Sequence, residues 1–282
     1  MRKLYIFVFV VLFLSLFMFS FRPTDVVRNI ELIRNIFYPP VYERKGIGTD
    51  TAGKDFDHCA YELVLHDFVT GEGLVDYTSL SKKPENLDLY ISELAKADAD
   101  SLSNYEYLAL MLNAYNAFTL KLIIENPGIE SIKDISSAKR WDDKRWHVGD
   151  KTLSLNEIEH DIIRKRYGEP LIHFALVCAA KSCPKLRNEP FTGSKLLSQL
   201  NDQAAHFFSQ ELNFKWDEQN KKVYLSEILD WFRYDFAENE RGVVEYAVNY
   251  IDPQAAEGIK GSNENIKIKY ISYEWSLNGK WD

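Results

Sequence analysis

The sequence has no HExxH, no CxxC, no Gly-x-Ser-x-Gly and no glycine-rich phosphate loop. The short motifs that announce common metal, redox, hydrolase and nucleotide sites are therefore missing. No basic run of five or more residues occurs, which argues against a nucleic-acid partner. The Asp98/Asp100 and Asp142/Asp143 pairs are too sparse for a calcium loop. There is no internal repeat and no low-complexity block, and no cofactor is expected. Cysteine is scarce, with 3 in 282 residues.

What is present is ordinary globular composition. The chain is 46% hydrophobic and 27% charged, enough for one substantial core. Its net charge of −8 gives solubility and says little about substrate. Aromatics reach 14%, and nothing in their spacing gathers them on one face, so they read as core residues.

The N-terminus carries Arg2 and Lys3, then runs from Leu4 to Phe21 without a charge. As a helix this stretch spans about 27 Å, just enough for a bilayer core. Its end, Leu16-Phe-Met-Phe-Ser-Phe21, has no Ala-x-Ala cleavage pattern and no nearby cysteine to take a lipid. Residues 1–21 therefore read as an uncleaved membrane anchor rather than a signal peptide. The bulk of the chain is expected outside the cytoplasm, in the periplasm if the source is a Gram-negative bacterium. The membrane, through residues 4–21, is the one partner expected; any substrate, small molecule or peptide, is unspecified. Residues 22–54 read as a stalk. Val26, Ile30, Ile33 and Phe37 have helical spacing, Pro39-Pro40 stops that helix, and Gly46 to Gly53 reads as a flexible linker. Residues 55–282 form the expected globular domain.

Within that domain the pattern predicts helices at 61–69 and 87–96, with a short extended piece at 74–77. The clearest element opens on a Ser103/Glu106 capping box and ends at Asn126-Pro-Gly128. It is apolar on nearly every side from Tyr107 to Ile124, so it should be central. A hairpin follows at 145–153. A helix opened by Ser154/Glu157 and closed by Gly168 comes next, then one that Thr192 or Ser194 starts and that runs to about Ser209. Two strands within 214–225, helices at 226–237 and 242–251, and a closing strand at 266–275 complete the prediction. The fold class is α+β: a helix-rich single domain around a central apolar helix with a small antiparallel sheet, preceded by the anchor helix.

Leu171-Ile-His-Phe-Ala-Leu-Val-Cys-Ala-Ala-Lys-Ser-Cys-Pro184 holds His173, Cys178 and Cys183 in an apolar run. Strand and helix are both open for it. Under either, His173 and Cys178 point apart, which disfavours a direct dyad. Cys183 lies beyond the element and is freer to turn; a short helix starting at Pro184 would lower its pKa slightly. The two cysteines read as a disulfide, as supplying a catalytic thiol, as metal ligands or as inert buried thiols. Cys59 reads as a core residue or a third, unpaired thiol. His160 lies about 140° from the centre of its helix's apolar face, so it meets solvent or the wall of a cleft built by another element. Asn113 and Asn116 share one face of the central helix. They either satisfy loop backbone in the core or orient a histidine or a developing oxyanion. One reading is thus a hydrolase or acyl transferase in which Cys183 attacks, His173 or His160 is the base, and Asn113 or Asn116 stabilises charge. A second is a binding or assembly module with a structural Cys178–Cys183 disulfide. A third, weaker, is a metal-binding domain using His160, His173 and a cysteine. On the enzyme reading Asn113, Asn116, His160, His173 and Cys183 converge in one site.

Leu112-Asn-Ala-Tyr-Asn-Ala117, Leu120-Lys-Leu122, Ser131-Ile-Lys-Asp134, Leu153 to His160, Ile172 to Pro184 and Tyr273-Glu-Trp-Ser-Leu277 together resemble the domain of unknown function 547 family. The resemblance runs over most of 60–277. It implies no activity, and it singles out Asn113, Tyr115, Asn116, His160, His173, Cys178, Ser182 and Cys183 as the positions shared with the family's motifs.

Overall fold

The computed structural model describes residues 46–48, 52–262 and 266–281. The expected anchor at 1–21 and the amphipathic helix at 25–37 lie outside these. The described residues belong to one compact unit, Val41–Asp282. Its core is organised by a single helix, as the sequence predicts.

Three helices, α1 (Cys59–Phe68), α2 (Tyr77–Lys82) and α3 (Glu85–Leu94), precede that central helix, α4 (Asn104–Ile124). Every residue from Glu106 to Leu120 is buried. Helix α4 is long and apolar enough to cross a bilayer, yet 94% of its most apolar window is covered by the domain itself. It is a core helix. The Ser103 hydroxyl caps its first turn by accepting from the Glu106 amide at 3.1 Å. The predicted capping box is only half made, because the Ser103 amide donates instead to the Lys54 carbonyl. That leaves the Glu106 carboxylate free to turn into the core.

Lys54 belongs to the stretch expected as linker. It forms a bridge beside Leu102, and Ile47 is buried, with its carbonyl accepting from the Asn104 side chain. The domain therefore gathers residues upstream of 55.

Helix α5 (Ser137–Arg140) leads to the hairpin β2 (Trp146–Val148) and β3 (Lys151–Leu153) at the predicted place. The Ser154/Glu157 capping box is complete, with both reciprocal hydrogen bonds present. The helix it opens is a π-helix over Glu157–Arg164, continued by α6 (Lys165–Tyr167) and closed by Gly168 at φ +56°. A 3-10 helix, Pro170–Phe174, and a long irregular segment follow. Helix α7 (Leu196–Ser209) then packs on that 3-10 turn.

The C-terminal part builds the sheet. Strands β4 (Phe214–Asp217) and β5 (Lys222–Ser226) are antiparallel. Then come α8 (Glu227–Trp231), α9 (Arg233–Phe236), α10 (Glu240–Ala247) and α11 (Pro253–Gly261), before β6 (Lys267–Ile271). Helix α11 was not predicted, although Asp252 caps it and Pro253 fills its first position. β6 pairs parallel to β5, so the sheet is mixed rather than antiparallel as expected. The helical crossover between the two strands returns the chain in the same direction. Strand β7 (Gly279–Lys280) pairs parallel with β1 (Val75–Asp76), tying the end of the domain to its beginning. The closing strand is shorter than predicted. Past Ile271 the chain leaves the sheet and runs along the cysteine segment.

Candidate functional site

The segment predicted as strand or helix over 170–182 is neither beyond Phe174. Asn116 explains why. Its amide donates to the Ala175 carbonyl and accepts from the Val177 amide, both at 2.9 Å. A side chain thus takes the backbone groups that a ladder would use. From the other side the C-terminal segment clamps the loop. Asn278 N donates to Ala179 O, Lys181 N to Ser276 O and Ser182 N to Glu274 O, while the Ser182 hydroxyl accepts from Glu274 N. Between these holds Ala179 sits at φ +61°, a left-handed conformation that costs a non-glycine residue about 1–2 kcal/mol. Such strain persists only where the surroundings over-determine it.

The outcome is that Cys178 and Cys183 meet. Their sulfurs are 2.8 Å apart, and both cysteines are free thiols. A covalent bond needs about 2.05 Å, so a small rotation would close one. The Cys183 sulfur also accepts from the Cys178 amide at 3.1 Å and lies 3.1 Å from the Tyr273 hydroxyl; Cys178 Sγ is 3.4 Å from that hydroxyl. Burial pushes the Cys183 thiol up, but the Cys178 thiol, the Tyr273 hydroxyl and backbone hydrogen bonds from Ala180 and Cys178 pull it down further, so it ends below its ordinary value. Cys178 is pushed well above it, first because its thiol donates to Cys183 and then by burial. No helix begins at Pro184. The predicted helix-end effect is replaced by these hydrogen bonds. Tyr273 is held by Trp231 and Trp275, at ring distances of 4.9 and 4.6 Å. The carboxylate of Glu159 lies near both Cys178 and the buried Tyr115 hydroxyl. Under the loop a cavity lined by Tyr77, Asn116, Val177 and Asn278 has room for about one water.

The two histidines belong to a second cluster. His173 Nε2 is 2.7 Å from Asp235, and the Arg164 guanidinium grips the same carboxylate through two bonds of 2.7 and 2.9 Å. His173 stacks on Phe232 at 4.2 Å. Arg164 Nη1 donates to His160 Nδ1 at 3.1 Å, which fixes His160 as the neutral ring with its proton on Nε2. Of the two expectations for His160, the wall built by another element holds: the ring is half-buried, near Phe232. The wider π turn rotates successive side chains less than the ~100° step of an α-helix. Burial lowers the His160 pKa, with Arg164 adding to that effect and Glu159 opposing it. Asp235 is also buried, yet hydrogen bonds and charge from His173 and Arg164 hold its carboxyl far below the usual range. Neither His160 nor His173 hydrogen-bonds either sulfur of the pair.

Asn113 belongs to a third cluster. It exchanges two hydrogen bonds with the Phe191 backbone, at 2.8 and 2.9 Å. Its amide is also 3.3 Å from His58 Nδ1. His58 bridges the Tyr90 hydroxyl at 2.7 Å and Glu106 at 2.8 Å, and the other Glu106 oxygen accepts from the Gly193 amide at 2.6 Å. Only glycine fits at 193, because a Cβ there would fall 2.7 Å from that carboxylate. Both asparagines thus satisfy loop backbone in the core. By direct hydrogen-bond partners the five residues expected in one site fall into three groups: Asn113 with Phe191 and His58, His160 and His173 around Arg164 and Asp235, and Asn116 behind the loop of Cys183. Among the described residues no three His, Cys, Asp or Glu gather as metal ligands. Cys59 is an exposed, unpaired thiol.

Sequence reasoning missed Tyr273 and Asp235 as partners of the marked residues. Tyr273 stands in a motif that resembles the family's, but nothing local ties it or Asp235 to its partners, because each is distant in the chain from what it touches. Glu106 was legible: a carboxylate inside an otherwise apolar helix needs a buried partner.

Residues 99–208 match the family described as "Protein of unknown function, DUF547". The matched span includes α4, the π-helix, both cysteines of the pair and both histidines. No curated protein and no solved structure matches the chain.

Proposed function

We propose that this is a membrane-tethered, extracytoplasmic protein whose chemistry is thiol–disulfide exchange at Cys178 and Cys183. The observation that carries this reading is the contact of two free thiols at 2.8 Å in a strained, doubly clamped loop, with donors converging on one of them. An asymmetric pair, one sulfur favouring thiolate and its neighbour favouring thiol, is what exchange requires. The charge-free run Leu4–Phe21 supports the tether, and an oxidising compartment is where such a pair can cycle.

The hydrolase or acyl-transferase reading needs a base on Cys183, and both candidate histidines are engaged by Arg164 and Asp235 instead. The assembly-module reading shares the exchange reading's geometry, since the same clamped loop suits a permanent Cys178–Cys183 bridge. The test treats the native chain with oxidised glutathione, alkylates without reductant and maps the thiols by mass. Exchange predicts reversible, complete loss of two thiols at 178 and 183 while Cys59 stays alkylatable. Two persistently free thiols would sink the proposal, and a bridge that no thiol reagent reopens would favour the module.

A further inference from the structure

On the reading that the pair exchanges disulfides, we infer that the site is oxidising. Its disulfide form passes its bond to a substrate dithiol, with Cys178 as the sulfur that meets substrate, Cys183 as the leaving thiolate and Tyr273 as the hydroxyl that holds it.

Access decides the first role. Cys178 is half-buried, whereas Cys183 is 7% exposed, so Cys178 is the more accessible residue of the pair and the one assigned to meet an incoming sulfur. Hydrogen bonding decides the second. The Cys178 amide and the Tyr273 hydroxyl both lie 3.1 Å from Cys183 Sγ, while Cys178 Sγ has only the longer 3.4 Å contact with that hydroxyl. Charge released on Cys183 therefore falls onto donors already in place. A donor set that stabilises the reduced form makes the disulfide easier to reduce, hence a better oxidant. Tyr273 has a raised pKa, through burial first and then the two sulfurs, so it stays a donor. Its ring is fixed by Trp231 and Trp275, with Lys133 lying 4.8 Å over Trp275.

The chemistry balances without a further reagent. A substrate thiolate attacks Cys178 Sγ, the Cys178–Cys183 bond breaks, and its electron pair leaves on Cys183. The second substrate thiolate then attacks the substrate sulfur of the mixed disulfide. That step forms the substrate disulfide and expels Cys178, which takes up a proton. Two electrons pass from the substrate dithiol to the protein disulfide.

The experiment uses the full chain in detergent, first oxidised with oxidised glutathione. It is then equilibrated across ratios of reduced to oxidised glutathione, quenched in acid, alkylated and weighed. We expect reduced glutathione alone to open the wild-type disulfide. Tyr273→Phe keeps the ring but loses the donor, and should shift the midpoint by about tenfold in the ratio of reduced glutathione squared to oxidised glutathione, roughly threefold in reduced glutathione at fixed oxidised glutathione, the worth of one hydrogen bond. It should also move the alkylation profile of Cys183 to higher pH. One equivalent of oxidised protein should form one equivalent of disulfide in a reduced peptide bearing two cysteines. Cys183→Ser should trap the oxidised peptide on Cys178, and Cys178→Ser should trap none. A disulfide that forms but survives excess reduced glutathione overturns the oxidising direction and leaves exchange standing. Failure to form a disulfide at any ratio overturns both. A Tyr273→Phe titration that coincides with wild type removes Tyr273 from the role.

Discussion

Replacing Asn116 by Leu tests whether the sulfur pair is positioned from behind. The change keeps the side-chain size and deletes two hydrogen bonds of 2.9 Å, leaving the Ala175 carbonyl and the Val177 amide buried without partners. Each orphan costs about 1–3 kcal/mol, and the added apolar contact returns about 1, so a net loss of about 3 kcal/mol is expected. Asn113→Leu is the matched control. It also deletes two hydrogen bonds to buried backbone, at Phe191, but in a hydrogen-bond network that includes neither thiol. Urea denaturation should therefore show both variants weakened by similar amounts. Alkylation rates measured well below each midpoint should separate them: Asn116→Leu loosens the loop before Cys178 and changes both thiol rates several-fold, whereas Asn113→Leu leaves them at wild type. Equal thiol effects from the two variants, or a stability loss under about 1 kcal/mol for Asn116→Leu, would refute the reasoning.

Three further outcomes are expected. Ala179→Gly should be neutral or stabilising by up to about 1 kcal/mol in urea melts, because relief of the left-handed strain at φ +61° offsets the extra chain entropy. Asp235 has a depressed folded pKa, so its stabilisation is complete above the unfolded value near 3.9 and is lost as pH falls toward the folded one. Melting temperature should fall below about pH 4, and Asp235→Asn should remove most of that slope while costing about 3–5 kcal/mol at neutral pH by stranding buried Arg164. His160, whose pKa is also lowered, adds a shallower loss that starts as pH drops through about 6.5 and should vanish in His160→Gln. N-terminal sequencing of the mature protein should begin at residue 1 or 2, and a start at or beyond Phe21 would show that the anchor is cleaved.

Local chemistry made much of this fold readable. The Ser154/Glu157 box, the Gly149-Asp150 turn and the all-round apolar stretch after Ser103 each act within a few residues, and each sits where the sequence puts it. What could not be read was decided by partners far along the chain. The cysteine segment has the apolar content of a strand or helix, yet Asn116 and residues 274–278 take its backbone hydrogen bonds and leave it irregular. The π-helix that carries His160 is announced by no local residue, although a wall built by another element was one of the two places the wheel allowed for that ring. Asn113 and Asn116 do share a face, but three residues of rise are enough to serve two different loops.

The clamp on the cysteine loop also sets a schedule for synthesis. Lys181, Ser182 and Cys183 acquire their outer partners only from Glu274, Ser276 and Tyr273, and β1 waits for Gly279 and Lys280. Pairings over such separations carry the full entropy of loop closure and form late. While ribosomes are still making residues 184–272, the nascent chain holds both thiols without the hydroxyl, the clamp or the αL turn that gives them unequal acidity. Their distinct chemistry therefore switches on only once residues 273–280 have been made, after the stretch of synthesis in which an activated thiol would be most exposed to mispairing.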